Sequence, residues 1–298
     1  PEYQLTKQLA NEGYDIWLGN SRGTVNSRSH VNLTVADKEF WDFSFHEMGK
    51  YDVPANINRV LEETGVDKIT YMGHSQGTMQ FWIANILHGD IGSKFEAMVA
   101  FAPIMYLGNQ NSLLITLFIK TSFVTVYEFF FDTFLYFGKF SNLIDSIAVR
   151  FIHLIPRTVW SLVQSIVGYD ENNHMDYGQL PVMARNDVGG TSTTNLDHYL
   201  QLIESGAFET PKRPNMPAPQ SYETERLREN LKDVQFQMFV GSNDAFSQPK
   251  DFQKLVELLP SENVDTIHVG DYNHLDYMWG QDTQTLVNPR IIKFLKAN

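Results

Sequence analysis

The stretch Tyr71-Met72-Gly73-His74-Ser75-Gln76-Gly77-Thr78 limits what this chain can fold into more than any other. It carries Gly-x-Ser-x-Gly between two segments of different character. Ahead of it, Asp67 to Met72 is rich in β-branched and aromatic side chains, as a strand is. Behind it, Thr78 to His88 has no proline, an apolar stripe and a stop at Gly89, which predicts a helix. A serine on so sharp a strand-to-helix turn takes a strained conformation, and flanking glycines let two backbones pass close to it. The spacing alone is weak evidence. Gly and Ser each make up roughly 7% of ordinary chains, so a chance match arises in about one chain in ten of this length. A second match, Gly19-Asn20-Ser21-Arg22-Gly23, also follows an expected strand, Tyr14–Gly19. It leads, however, into the polar, non-periodic Thr24–His30. Ser21 is therefore placed in a loop, and Ser75 is the candidate nucleophile.

The surrounding pattern predicts an α/β fold. A helical run from Glu2 to Asn11 precedes Tyr14–Gly19. Pro54 then opens a helix over 55–64 that Gly65 stops. Strands follow at 69–73 and 97–102, on either side of the helix after Ser75. Toward the C-terminus come a strand at 234–240, a helix at 249–259, a strand at 264–269 and a helix at 288–297. Strands separated by helices imply βαβ units and a mostly parallel, doubly wound sheet. From about Tyr106 to Arg228 the alternation stops, and helical and aromatic segments give way to a loop with Pro211, Pro214, Pro217 and Pro219. The expected organisation is a core in two parts, 1–105 and 229–298, with a helical cap inserted at 106–228.

Composition narrows the function classes. A net charge of −12 opposes nucleic-acid binding and supplies no polybasic patch for anionic lipid. The absence of cysteine excludes disulfides and thiolate chemistry. The apolar run Leu113–Phe140 is interrupted by Lys120, Glu128, Asp132 and Lys139, which leaves no uncharged span of about 20 residues for a membrane crossing. It reads either as a buried helix pair of the cap, or as a site where Phe129, Phe130, Phe131, Phe134, Tyr136 and Phe137 line an acyl chain or touch a lipid interface. Asn32-Leu33-Thr34 is a glycosylation sequon.

A serine hydroxyl needs a base within hydrogen-bond reach, and the base needs an acid to orient it. On a doubly wound sheet these come from loops at the carboxyl ends of strands. Asp244 follows the strand at 234–240, and His274 follows the strand at 264–269. The resulting order, Ser75, Asp244, His274, is that of α/β-hydrolases. His268 lies within a strand, His74 is expected to point away from the turn's apex, and the remaining histidines lack a strand-end context. Asp271 and Asp276 share the histidine's loop and are too local to orient it. A metal reading of His274 with Asp276 lacks an H-E-x-x-H helix or a thiolate, so no metal or cofactor is expected. The backbone N–H of Gln76 is the expected oxyanion donor.

With these residues in view, the chain resembles the acid lipase family of gastric lipase, lysosomal acid lipase and fungal steryl ester hydrolases. The resemblance rests on GYDIWLGNSRG (13–23), EFWDFSFHEMGKYDVPA (39–55), YMGHSQGT (71–78), the Gly241–Asp244 turn and YNHLDYMWG (272–280). It covers nearly the whole chain and implies a serine esterase acting on triacylglycerols or steryl esters at a lipid–water interface, without a cofactor. It also implies a lysosomal or secreted location. Ser75, Asp244 and His274 take the family's triad positions, and Arg22 is expected in a structural ion pair. A lipid-binding or interaction protein that keeps the fold without catalysis is the alternative. Family members carry a strand and an HG-type loop ahead of the helix that opens this chain, the loop giving a second oxyanion N–H. In the resembled fold that missing unit includes a strand lying between Tyr14–Gly19 and 69–73. The complete protein is therefore expected to have an upstream segment with this strand and a secretory signal, and residues 1–298 alone are not expected to be a competent enzyme.

Overall fold

The computed structural model describes residues 5–120, 134–135, 152, 154–172, 174–187, 189–214 and 217–298. Its strands are β1 (Ile69–His74), β2 (Phe95–Phe101), the two-residue β3 (Phe134–Leu135) and β4 (Thr191–Ser192), β5 (Gln235–Val240) and β6 (Val264–His268). Four of them form a parallel sheet in the order β1-β2-β5-β6. In its register His74 lies beside Phe101, Phe101 beside Phe239, and Val240 beside His268. The carboxyl ends therefore stack along one edge, and the loops that leave them meet there.

Alternation along the strands explains the two cores. Met98 and Ala100 of β2, with Phe236 and Met238 of β5, pack with Phe81 and Trp82 of the helix Gln76–Leu87. The intervening Val99, Phe101 and Phe239 pack on the opposite face with Val287 and Ile291. A sheet covered on both faces has strands that read as apolar runs, as β2 does. The helix Gln76–Leu87 is buried from Thr78 to Ile86, more completely than a single apolar stripe requires. It packs against β1 on one side and the Met48–Asp52 turn on the other.

The expected strand at Tyr14–Gly19 is not formed. These residues are irregular, and Trp17 and Leu18 are exposed. Side-chain composition favours extended backbone there, but a strand also needs a ladder partner, and β1 pairs only with β2 among the described residues.

Between β2 and β5 the chain forms helices at Leu113–Lys120, Pro156–Val167, Leu180–Asp187 and Thr193–Ser205. Trp160, Met175 and Leu180 make a small core against which Leu275 and Trp279 pack. Phe129, Phe130, Phe131, Tyr136 and Phe137 lie outside the described residues, and Phe134 is described only through its pairing with Ser192. Among the described residues no helix is long and apolar enough to cross a membrane.

Candidate active site

Ser75 sits between β1 and the helix Gln76–Leu87 with φ 52° and ψ −115°, a left-handed conformation that a side-chain-bearing residue rarely adopts. Hydrogen bonds hold it there. Its N–H donates to the Phe101 carbonyl (3.0 Å), and its own carbonyl accepts from the Thr78 N–H (2.9 Å) and hydroxyl (2.7 Å). The two motif glycines are not equivalent. A Cβ on Gly73 would lie 3.0 Å from the Gly77 carbonyl carbon, whereas a Cβ on Gly77 would meet nothing within 4 Å.

His274 comes to Ser75 from the loop after β6. The Ser75 hydroxyl and His274 Nε2 are 2.6 Å apart, and His274 Nδ1 is 2.8 Å from Asp244 Oδ1. An ionised carboxylate only accepts, so Nδ1 carries the proton and Nε2 is left as the acceptor for the serine hydroxyl. The loop is tied by Asn273, whose side-chain oxygen accepts from the N–H groups of Leu275 and Asp276. Asp276 in turn accepts from the Asn273 N–H.

Asp244 is buried, and its Oδ1 also accepts from the N–H groups of Phe246 (2.8 Å) and Ser247 (2.9 Å). Burial pushes its carboxyl up. The adjacent His274 ring and the two N–H donors more than offset this and hold it below the usual carboxylate range. Gln76 opens its helix, so its N–H belongs to a first turn that has no intrahelical acceptors. The structure thus brings Ser75, His274, Asp244 and Gln76 together. Such a line lets the imidazole take the serine proton while the carboxylate holds the ring.

The other candidates lie elsewhere. Ser21 donates to Gln80 Oε1 (3.2 Å), and Arg22 forms a bidentate pair with Asp52. His88 bonds the Lys50 carbonyl, His198 the Glu209 carbonyl and His30 two nearby backbone N–H groups. His268 is on an exposed strand position. His74 points away from the Ser75 hydroxyl, and its Nε2 donates to the backbone carbonyl of His274 (2.6 Å). Asp170, His174 and Asp276 bring potential ligand atoms within 4.8 Å of one another, a metal-like grouping. Both ring nitrogens of His174, however, already pair with Asp282 (2.9 Å) and Asp271 (3.2 Å).

Sequence reasoning misses the groups around Gln76. Its Oε1 accepts from Asn195 Nδ2 (2.8 Å) and the Tyr199 hydroxyl (3.2 Å), both more than a hundred residues away. No local pattern marks either residue. A cleft of about 290 Å³ beside the acid loop is lined by Asn111, Ser112, Gln164, Tyr169, Ser242 and Asn243. Leu113 and Ala245 share its otherwise polar walls.

Residues 2–281 match the family model for the alpha/beta hydrolase fold. The chain is 32% identical over 313 residues to gastric triacylglycerol lipase of Rattus norvegicus, covering 99% of this chain and 75% of that one. It is 32% identical over 314 residues to lipase member M of Homo sapiens, with 99% and 70% covered. A thermophilic esterase from Thermogutta terrifontis superposes with a TM-score of 0.50 at 14% identity, covering 93% of this chain and 78% of the other. That last likeness concerns the fold alone.

Proposed function

The chain belongs to the acid lipase family of the α/β-hydrolases, and on that premise we propose that it hydrolyses neutral-lipid esters through Ser75, His274 and Asp244. The observation that carries this reading is the unbroken line of hydrogen bonds from the Ser75 hydroxyl through the His274 ring to Asp244.

In the proposed reaction His274 Nε2 takes the proton of Ser75 Oγ as the oxygen attacks the ester carbonyl carbon. The carbonyl oxygen becomes an oxyanion, which accepts from the Gln76 N–H. Asp244 keeps the proton on Nδ1 and stabilises the imidazolium. The imidazolium then protonates the departing alkoxide, the alcohol leaves, and the acyl group stays on Ser75. Water, deprotonated by the same Nε2, attacks the acyl-enzyme and releases the fatty acid with the serine restored.

We read residues 106–228 as a cap between the core parts 1–105 and 229–298. Leu113, Leu154, Leu162 and Val182, all exposed within it, support a lipid-facing role. The chemistry of the long-chain ester fits both triacylglycerols and steryl esters, and a lysosomal or secreted location accords with the family.

The test is hydrolysis of a dispersed long-chain ester. Turnover by the full-length protein, lost by roughly 10⁴-fold in Ser75→Ala and reduced less than tenfold in Ser21→Ala, supports the reading. A folded full-length protein that binds the lipid without hydrolysing it would identify a non-catalytic binder.

A further inference from the structure

We propose that Asn195 is a positioning residue for the oxyanion donor, acting through the side chain of Gln76; this rests on the reading of Gln76 as that donor. Asn195 lies in the first turn of the helix Thr193–Ser205 and is 3% exposed. Both ends of its amide are engaged. Oδ1 accepts from the Phe45 N–H (2.7 Å), and Nδ2 donates to Gln76 Oε1 (2.8 Å).

The helix that carries Asn195 is itself anchored. Ser192 caps it by accepting from the Asn195 N–H (3.0 Å), and the Ser192 hydroxyl donates to the Phe43 carbonyl. Asn195 is therefore a short strut between the Phe43–Phe45 segment and the residue after the nucleophile. Tyr199, one turn further along, adds its hydroxyl to the same Gln76 oxygen, while Gln76 Nε2 faces Met48 Sδ (3.3 Å). The Gln76 side chain is thus held at its far end on both heteroatoms.

The consequence for the reaction follows from the position of Gln76. The oxyanion N–H and the pinned side chain belong to one residue, so fixing the amide restricts how far the Ser75–Gln76 peptide can rotate. Gln76 is only half-buried, as is the neighbouring Ser75. Released from Asn195, a glutamine side chain has several rotamers, some of which swing its amide toward the site. Hydrogen bonds aimed at a developing charge help only when they need no reorganisation. The strut therefore acts on the transition state and not on ground-state binding.

The experiment is a double-mutant cycle of Asn195→Ala and Gln76→Leu, with kcat, KM and Tm measured on an ester and Tyr199→Phe measured alongside. Gln76→Leu keeps the backbone N–H and removes the side-chain amide. The expected result is a kcat lowered about tenfold in Asn195→Ala and two- to fivefold in Tyr199→Phe, with KM within about twofold. The double variant falls no further than the worse single variant, because both break the same strut. Unchanged kcat in a folded single variant, or losses that multiply in the double variant, would overturn the proposal. If Asn195→Ala fails to fold, Tyr199→Phe decides, since it keeps the ring packed on Phe45 and deletes one hydrogen bond. A full-length wild type without esterase activity overturns the underlying reading, whereas an active wild type with indifferent variants overturns this inference alone.

Discussion

His74 donates from Nε2 to the backbone carbonyl of His274, 2.6 Å away and 200 positions later in the chain. It ties the Ser75 turn to the His274 loop without touching the serine hydroxyl. Burial, with the nearby His274 ring, lowers the His74 pKa to about 4, so the ring is neutral at physiological pH.

The first prediction concerns that tie. His74→Phe keeps the ring volume and deletes the donor, leaving the His274 carbonyl without it. We expect kcat to fall about tenfold with little change in KM, as for a misplaced base. Because the folded pKa of His74 is depressed, its stabilising contribution is full above about 6.5 and is lost as pH falls toward 4. Relative to His74→Phe, the wild type should therefore lose stability between pH 6.5 and 4, which thermal melts across that range would show. Parallel curves would remove the titration from the explanation.

The motif glycines supply the second. Gly73→Ala forces a Cβ to 3.0 Å from the Gly77 carbonyl carbon, and Gly77→Ala enters open space. The first substitution should cost about 1–3 kcal/mol through overpacking. The second should be neutral or slightly stabilising, since Gly77 lies in the helix Gln76–Leu87. Urea denaturation of the two variants is the measurement, and equal destabilisation would contradict the asymmetry.

How much of this site was legible depended on how local each signal was. Ser75, Asp244 and His274 each follow a strand directly, so periodicity and turn residues located them within a few positions. Asn195, Tyr199 and the role of His74 depend on contacts closed over more than a hundred residues, which no window of sequence displays. Tyr14–Gly19 failed for the opposite reason. Its composition suits a strand, but strand formation is decided by a neighbour, and none of the described strands pairs with it.

The third prediction concerns Asp276, which ties the His274 loop through the Asn273 N–H. Burial, reinforced by Asp170 and Asp282 and opposed by the Asn273 N–H and His174, raises the Asp276 pKa to about 7. The raised carboxylate pKa means that this group's contribution is full below about 4 and is lost as pH rises through about 7. His174, which faces Asp271 and Asp282, is shifted up: burial lowers its pKa, but Asp282 and Asp271 more than compensate. Its pairing likewise weakens as pH rises. Asp276→Asn, neutral at every pH, should therefore gain on the wild type between pH 5 and pH 8. Thermal melts at those two values decide it, and a constant difference would contradict the raised carboxyl.

The fourth prediction is a preference for long acyl chains. Each additional buried CH₂ contributes up to about 0.8 kcal/mol. kcat/KM should therefore climb from acetyl to oleoyl esters. A flat profile across that series would rule out a site that buries the acyl chain.

The central claim is that Ser75, and not Ser21, is the nucleophile activated by His274. The direct measurement is labelling of the intact chain with a fluorophosphonate, followed by mass spectrometry of its peptides. The expected result is one phosphonyl group on the peptide containing Ser75, absent in Ser75→Ala and strongly slowed in His274→Ala. Labelling on the Ser21 peptide, or labelling that survives Ser75→Ala, would contradict it.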